Sequence, residues 1–240
     1  MRSANERHPN GLGNSSGVVG RHLMLHNNST LIAISKTPNP SKFQKTLGVN
    51  DFYYGDPFDP DWKYPLGAMQ MLGKSDAFTM SLDAPDSDDP AALARHSLDL
   101  WLTTEDLPLW ESQVRADADG GITLHHGPSN LSAHQRLVTR WREMLDHLGC
   151  HGEAFDRPTY LGGKLGLNGV SHQNGTARFG HDPASSALDV NCRLHDVDNC
   201  YVVDASFFPS SSAVNPTLTI VANALRVSDH LSARLAGRDL

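Results

Sequence analysis

Two stretches of this sequence combine residue types that can move a proton or hold an anion. The first surrounds His172, in Ser171-His172-Gln173-Asn174-Gly175-Thr176-Ala177-Arg178-Phe179-Gly180-His181-Asp182-Pro183. Turn-forming residues on both sides make this a polar loop, the kind of segment on which rigid scaffolds place reactive groups. An imidazole titrates near neutrality and can take a proton from a substrate hydroxyl. A lone loop histidine more often does no more than make a surface hydrogen bond, and the second stretch weighs against that plainer reading. It runs Val203-Asp204-Ala205-Ser206-Phe207-Phe208-Pro209, then Ser210-Ser211-Ser212-Ala213-Val214-Asn215-Pro216-Thr217-Leu218-Thr219. This reads as a strand, a tight loop of small residues and a capped helix. Asn215 is a favourable N-cap, and Pro216 suits the first helical position, where its missing N–H costs nothing. Such a helix start offers free N–H groups and a positive dipole end to a phosphate or a delocalised anion, although many helix starts do nothing beyond capping.

Other chemistries find less support. The chain has 13 histidines, but adjacent His125 and His126 point apart on a strand, and His147 and His151 straddle the stop at Gly149. Neither pair presents two metal ligands on one face. A serine hydrolase would need a nucleophile elbow or a base paired with Ser210–Ser212, and neither is identifiable. Cys150, Cys192 and Cys200 form no Cys-x-x-Cys pair and read as free, packed thiols.

Taken together, three segments in this order and at this spacing resemble the C-terminal signature of the glucose-methanol-choline (GMC) oxidoreductases. They are His172-x-x-Gly175-Thr176-x-x-x-Gly180-x-Asp182-Pro183, then Val202-Val203-Asp204-Ala205-Ser206-x-x-Pro209, then Asn215-Pro216-Thr217-Leu218-Thr219. The match is motif-dense from His172 to about Leu235. Upstream, Ser3-Ala4-Asn5, Gly11-Leu12-Gly13-Asn14-Ser15-Ser16-Gly17 and Val19-Gly20-Arg21 look like the family's passage out of its nucleotide-binding region, and Thr104-Glu105-Asp106-Leu107-Pro108 fits its substrate domain.

The resemblance implies an FAD-dependent enzyme that oxidises a small-molecule alcohol. His172 would accept the hydroxyl proton while the carbinol carbon delivers hydride to the flavin. Asn215 would hold the substrate oxygen, because an amide can donate and accept hydrogen bonds but cannot take the proton. The backbone around Asp204 and Ala205 would lie against the cofactor. Thr217 would lie near the flavin ring, and the helix beginning at Pro216 would turn its positive end towards it. Two departures stand out: Asp196 where the family often has Gly, and Phe179 where Met is commoner.

The Gly-x-Gly-x-x-Gly turn that holds FAD is not in the sequence. Gly11-Leu12-Gly13 is followed by Gly17, one residue too late, and no strand leads in. The chain therefore reads as the C-terminal portion of such an enzyme, with the FAD-binding segment missing and expected as a partner. The alternative is a non-catalytic remnant or a substrate-binding module without flavin.

The elements that must position these residues can be traced in part. Short apolar runs at Thr30–Ile34, Met69–Leu72, Leu98–Leu102 and Ile122–Leu124 predict strands, the last preceded by the turn signal Asp119-Gly120-Gly121. The stretch from Phe52 to Pro65 reads as an ordered loop. Ser132–Leu148 has a helical period, with Leu137, Trp141, Met144 and Leu148 on one stripe and Gly149 as the stop. Cys200–Val203 predicts a strand, and a helix follows with Leu218, Val221, Ala222, Leu225, Leu231 and Leu235 on its apolar face.

The fold class expected is α+β with an α/β element: an antiparallel-sheet-plus-helix substrate domain, and a C-terminal strand and helix that complete a largely absent Rossmann-like FAD domain. The corresponding boundaries are 1–25 for the tail of the FAD-binding region, 26–165 for the substrate domain and 166–240 for the signature segment. The apolar face of the last helix would then be exposed when this chain stands alone, making it poorly soluble.

Composition sets the outer limits. The net charge of −7 leaves no basic footprint for nucleic acid. No stretch is apolar for long enough to span a bilayer, and the polar start is not a signal peptide, so a soluble, cytoplasmic protein is expected.

Overall fold

The computed structural model describes residues 2–42, 45–117, 119–150, 155–157, 159–160, 163–164 and 170–237. Its elements in chain order are strands β1 (His26–Ile34), β2 (Gly48–Val49) and β3 (Ala68–Gly73), helices α1 (Ala77–Asp83) and α2 (Pro90–His96), strands β4 (Ser97–Glu105), β5 (Gln113–Ala116) and β6 (Ile122–His125), helix α3 (Leu131–His147), the short strands β7 (Phe155–Arg157), β8 (Thr159–Tyr160) and β9 (Gly163–Lys164), a 3-10 turn (Ala205–Phe207) and helix α4 (Thr217–Gly237). They group into two units. One comprises Met1–Leu25, Asp106–Ser129 and His172–Leu240, and the other His26–Glu105 and Asn130–Ser171. Apart from Gly163 and Lys164, the glycine-rich stretch 162–169 lies outside the described residues, and with it the expected boundary at 165.

The second unit is built on a five-stranded sheet in the order β2-β3-β4-β1-β7, antiparallel at every pairing. β1 and β4 pair over nine positions, from His26 opposite Glu105 to Ile34 opposite Ser97. Side chains alternate across a strand, so the apolar run at the end of β1 serves two cores at once. Leu31 and Ala33 join Leu100, Leu102, Phe52 and the inner face of α3, while Ile32 and Ile34 pack with Met80 of α1 and Ala94 of α2. That double burial explains why this strand reads as a continuous apolar run.

Helix α3 buries Ala133, Leu137, Trp141 and Leu145, one row at four-residue spacing. The expected stripe ended on Met144 and Leu148 instead. Leu148 is the C-cap and is exposed, because the chain leaves the helix there and turns through Gly149 with φ +89°.

The Phe52–Pro65 segment is a loop fastened to α3 by charge. Asp56, whose side chain is inaccessible, accepts from Nε of Arg136 at 2.6 Å and Nε of Arg140 at 2.9 Å. Burial by itself would push the Asp56 pKa up. The hydrogen bonds from Arg140, Arg136 and the Phe58 N–H outweigh it and hold the carboxyl below its ordinary 3.8. A pKa that is lower folded than unfolded stabilises above the unfolded value and loses that contribution as pH falls through the folded one. Acid unfolding should therefore set in below about pH 4, and Asp56→Asn should flatten this limb of the stability-versus-pH curve in denaturant titrations. An unchanged acid limb would count against the assignment.

The first unit has little regular structure. β5 and β6 form a hairpin with Gln113 opposite His125. Its core gathers Ala187, Leu188, Cys192, Leu194, Phe207 and Val227, with Phe179, Tyr201 and Ile220 packed against them. Phe179, the residue that departs from the resembled pattern, stacks on Phe207 with ring centroids 5.7 Å apart.

The strand expected at Cys200–Val203 is not a ladder. Only Tyr201 forms a bridge, to Arg193, with Leu194 N donating to Cys200 O and Val202 N to Cys192 O as further ties. The segment is extended, but its neighbour is a turn about Cys192 with φ +60°, and a turn offers no straight edge for a longer pairing.

Helix α4 buries Val227 alone, and Leu218 and Leu225 are 84% and 64% exposed, with Val221 and Leu235 also open. Of the expected apolar face, Leu218, Val221, Leu225 and Leu235 are therefore uncovered among the described residues, and Leu231 is half-buried. Among the described residues no helix is long and apolar enough to cross a membrane.

Candidate active site

All six residues singled out as catalytic or cofactor-binding, namely His172, Asp204, Ala205, Asn215, Pro216 and Thr217, fall in the first unit. His172 is half-buried, and its carbonyl accepts from Asn174 Nδ2 at 2.8 Å. Asn174 is buried and exchanges both backbone hydrogen bonds with Met24 at 3.0 Å. The loop then runs beside the 3-10 turn: Gly175 N donates to Ala205 O at 3.3 Å, Ala177 N to Ser206 O at 2.9 Å and Phe179 N to Phe207 O at 3.0 Å. Gly175 is required by this approach. Its φ is +90°, and a Cβ there would sit 2.4 Å from the His22 carbonyl oxygen.

Asp204 opens the turn as its cap, accepting from Ser206 N at 2.9 Å. From Pro209 the chain crosses Ser211 and Ser212 to α4. Ile220 N donates to Pro216 O, so Pro216 occupies the cap, Thr217 begins the helix, and Asn215 lies one position outside it. The sequence reading put the helix start one residue earlier. Asn215 and Thr217 are exposed, and no acidic side chain sits in the first turn to offset the dipole. That end is suited to a ligand with anionic character.

Two features of this unit were not singled out from the sequence. The first is Asp106, 1% exposed, which accepts from Leu25 N at 2.9 Å, His126 Nε2 at 2.6 Å and the Ser129 hydroxyl. Its backbone N–H donates to Ser211 Oγ at 3.1 Å, and Ser211 Oγ donates to Asp106 O at 3.0 Å. In the sequence its only signals are Thr104-Glu105-Asp106-Leu107-Pro108, which fits the resembled substrate domain, and the adjacent His125-His126 pair.

The second is His22, 6% exposed, with Nδ1 2.9 Å from the Pro108 carbonyl oxygen and Nε2 buried without a partner among the described residues. A carbonyl can only accept, so Nδ1 carries the proton and Nε2 is an acceptor. Burial pushes the His22 pKa down, with nearby Arg178 and Arg21 adding to the effect against the Pro108 hydrogen bond. No group of three metal-ligating side chains occurs among the described residues.

Comparison with known proteins agrees with this architecture. Residues 152–224 match the family profile described as GMC oxidoreductase. The chain is 30% identical to 6'''-hydroxyparomomycin C oxidase of Streptomyces lividus over 98% of its own length and 42% of the relative's. It is 28% identical to paromamine 6'-oxidase of Streptomyces fradiae over 99% and 43%. It is 26% identical to 2-methyl-1,2-propanediol dehydrogenase of Mycolicibacterium austroafricanum over 98% and 46%. The chain thus spans less than half the length of these relatives.

Among solved structures, pyridoxine 4-oxidase from Mesorbium loti superposes with a TM-score of 0.53 at 20% identity, over 89% of this chain and 43% of that one. An Aspergillus oryzae formate oxidase variant, studied for FAD modification, superposes with a TM-score of 0.56 at 14% identity, over 90% and 48%. Those two establish the fold alone. The profile match across the histidine loop and the start of α4, with relatives aligned along nearly the whole chain, shows that this protein belongs to the GMC oxidoreductase family and corresponds to its C-terminal portion.

Proposed function

We propose that this chain supplies the proton acceptor and substrate clamp of an FAD-dependent alcohol oxidoreductase. The observation that carries the reading is the run of backbone hydrogen bonds from Gly175–Phe179 to Ala205–Phe207, which ties the His172 loop to the turn leading into α4. His172 takes the hydroxyl proton of the alcohol, and the electron pair left on oxygen drives the C–H hydride out of the carbinol carbon, giving a carbonyl product. FAD, when bound, supplies the hydride acceptor. Asn215 orients the substrate oxygen. The backbone of Asp204 and Ala205, together with Pro216 and Thr217, would hold the flavin, and the dipole of α4 would favour negative charge there.

The residues present fit such a group: an exposed helix start without an acidic first turn, and a half-buried imidazole held on a braced loop. The adenosine part of FAD is assigned to a further segment carrying the Gly-x-Gly-x-x-Gly turn. Two findings support that assignment: the curated relatives are more than twice as long, and α4 keeps an uncovered apolar face of the kind that packs on a parallel sheet.

The test is anaerobic mixing of the flavin-loaded protein with alcohols drawn from the relatives' chemistry, such as paromamine and 2-methyl-1,2-propanediol. Loss of the oxidised-flavin absorption together with one carbonyl formed per flavin is the expected result. Flavin that stays oxidised across a broad panel of sugars, diols and simple alcohols would overturn the reading.

A further inference from the structure

The two side chains assigned to the reaction are far apart in sequence, and a continuous hydrogen-bonded path inside the first unit connects the loops that carry them. It starts at the His172 carbonyl, held by Asn174 Nδ2. Asn174 is locked to Met24 by paired backbone bonds, and the next residue, Leu25, donates its N–H to Asp106 Oδ2 at 2.9 Å. Asp106 in turn grips Ser211 through its own backbone, N–H to Oγ at 3.1 Å and Oγ to O at 3.0 Å. Ser211 is buried and stands four positions before Asn215, with Ser212 at φ +56° and buried Ala213 between them.

We infer that Asp106 and Ser211 are positioning residues that set the spacing between His172 and Asn215. The inference rests on the proposed roles of those two side chains. Asp106 is unusually well held for a loop carboxylate. Beyond Leu25, it accepts from Leu107 N at 3.1 Å, from His126 Nε2 and from the Ser129 hydroxyl, so every direction around it is occupied by a donor. A buried carboxylate with a full set of donors is rigid, because moving it strips charge-assisted hydrogen bonds in a low-dielectric setting. The rigidity reaches the site through one side chain, the Ser211 hydroxyl. That hydroxyl both accepts from and donates to the Asp106 backbone, and so it fixes the loop in two directions at once. His172 and Asn215 must close on a single oxygen atom, and displacement of either by about 1 Å costs about a hundredfold in rate.

The experiment is a double-mutant cycle in the flavin-loaded enzyme, reading the rate of flavin reduction by substrate, with thermal unfolding and amide hydrogen exchange measured alongside. Ser211→Ala removes the hydroxyl at nearly constant volume. It should slow reduction by about tenfold to a hundredfold and speed amide exchange across residues 211–216. In an Asn215→Ala background the same change should cost less than about twofold, because the group it positions is already gone. An equal fold-loss in both backgrounds, or a Ser211→Ala rate within about twofold of the parent, overturns the inference. If Asn215→Ala by itself leaves the rate intact, the role of Asn215 falls instead, and the two failures are told apart. Should Ser211→Ala not fold, Ser211→Cys, which keeps a weak donor of similar size, goes through the same cycle.

Discussion

His172→Ala is expected to slow flavin reduction by about 10² to 10⁴-fold while leaving flavin content and thermal unfolding near those of the parent. General-base catalysis by a positioned imidazole contributes that range. Alanine removes the ring but not the backbone features that brace the loop. The bond that organises it locally runs from Asn174 Nδ2 to the His172 carbonyl, which any residue supplies. The pairing of Asn174 with Met24 and the run from Gly175 to Phe179 beside the 3-10 turn involve no atom of the imidazole either. A large kinetic loss without a matching stability loss is thus the signature of a proton acceptor. A variant that reduces its flavin at the parent rate would remove His172 from that role. One that lost flavin and melted early would make it a structural residue.

Gly175→Ala should act in the opposite sense, through the fold first. The glycine sits at φ +90°, and its Cβ would meet the His22 carbonyl oxygen at 2.4 Å, a backbone atom with no side-chain freedom to yield. A non-glycine residue in the left-handed region costs about 1–2 kcal/mol, and overpacking adds about 1–3 kcal/mol. A loss of about 2–5 kcal/mol from the first unit follows, read as a lower denaturation midpoint and reduced soluble yield. Because Gly175 N also donates to Ala205 O, surviving protein should show slowed flavin reduction as well. An alanine variant as stable as the parent would mean that the loop does not hold this approach in solution.

The parts of this protein that could be read from its sequence are those whose information is local. β1, β3 and β4 announce themselves as short apolar runs and α3 by its helical period, because the burial of each is written into its own consecutive residues. Pro216 marks the start of α4 to within a residue. The His172 and Asn215 segments were found through their order and spacing in a known signature.

The relations that escaped are long-range ones. Nothing near Asp106 in sequence says that its carboxylate will meet Leu25 and His126 while its backbone meets Ser211. The same holds for Asp56, whose two arginines lie eighty or more positions away on α3. Cys200–Val203 shows the converse. Its residues have the character of a strand, yet a ladder needs a neighbour of matching length, and among the described residues Arg193 alone bridges to it.

The order in which the chain leaves the ribosome gives the division into two units a temporal meaning. The second unit has all of its residues once Ser171 has emerged, whereas Met1–Leu25 and Asp106–Ser129, which bond to each other, must wait for His172–Leu240 before the first unit is complete. The contacts that His172–Leu240 makes with Met1–Leu25 are therefore the last to form and the ones with the largest loops to close, and closure of that kind is slow. During that interval the Met1–Leu25 segment, with Val18, Leu23, Met24 and Leu25 destined for burial, lacks the cover that His172–Leu240 supplies, the pairing of Met24 with Asn174 included. Nascent chains of this protein stalled just after Ser171 should thus present a chaperone-binding signal within the Met1–Leu25 segment.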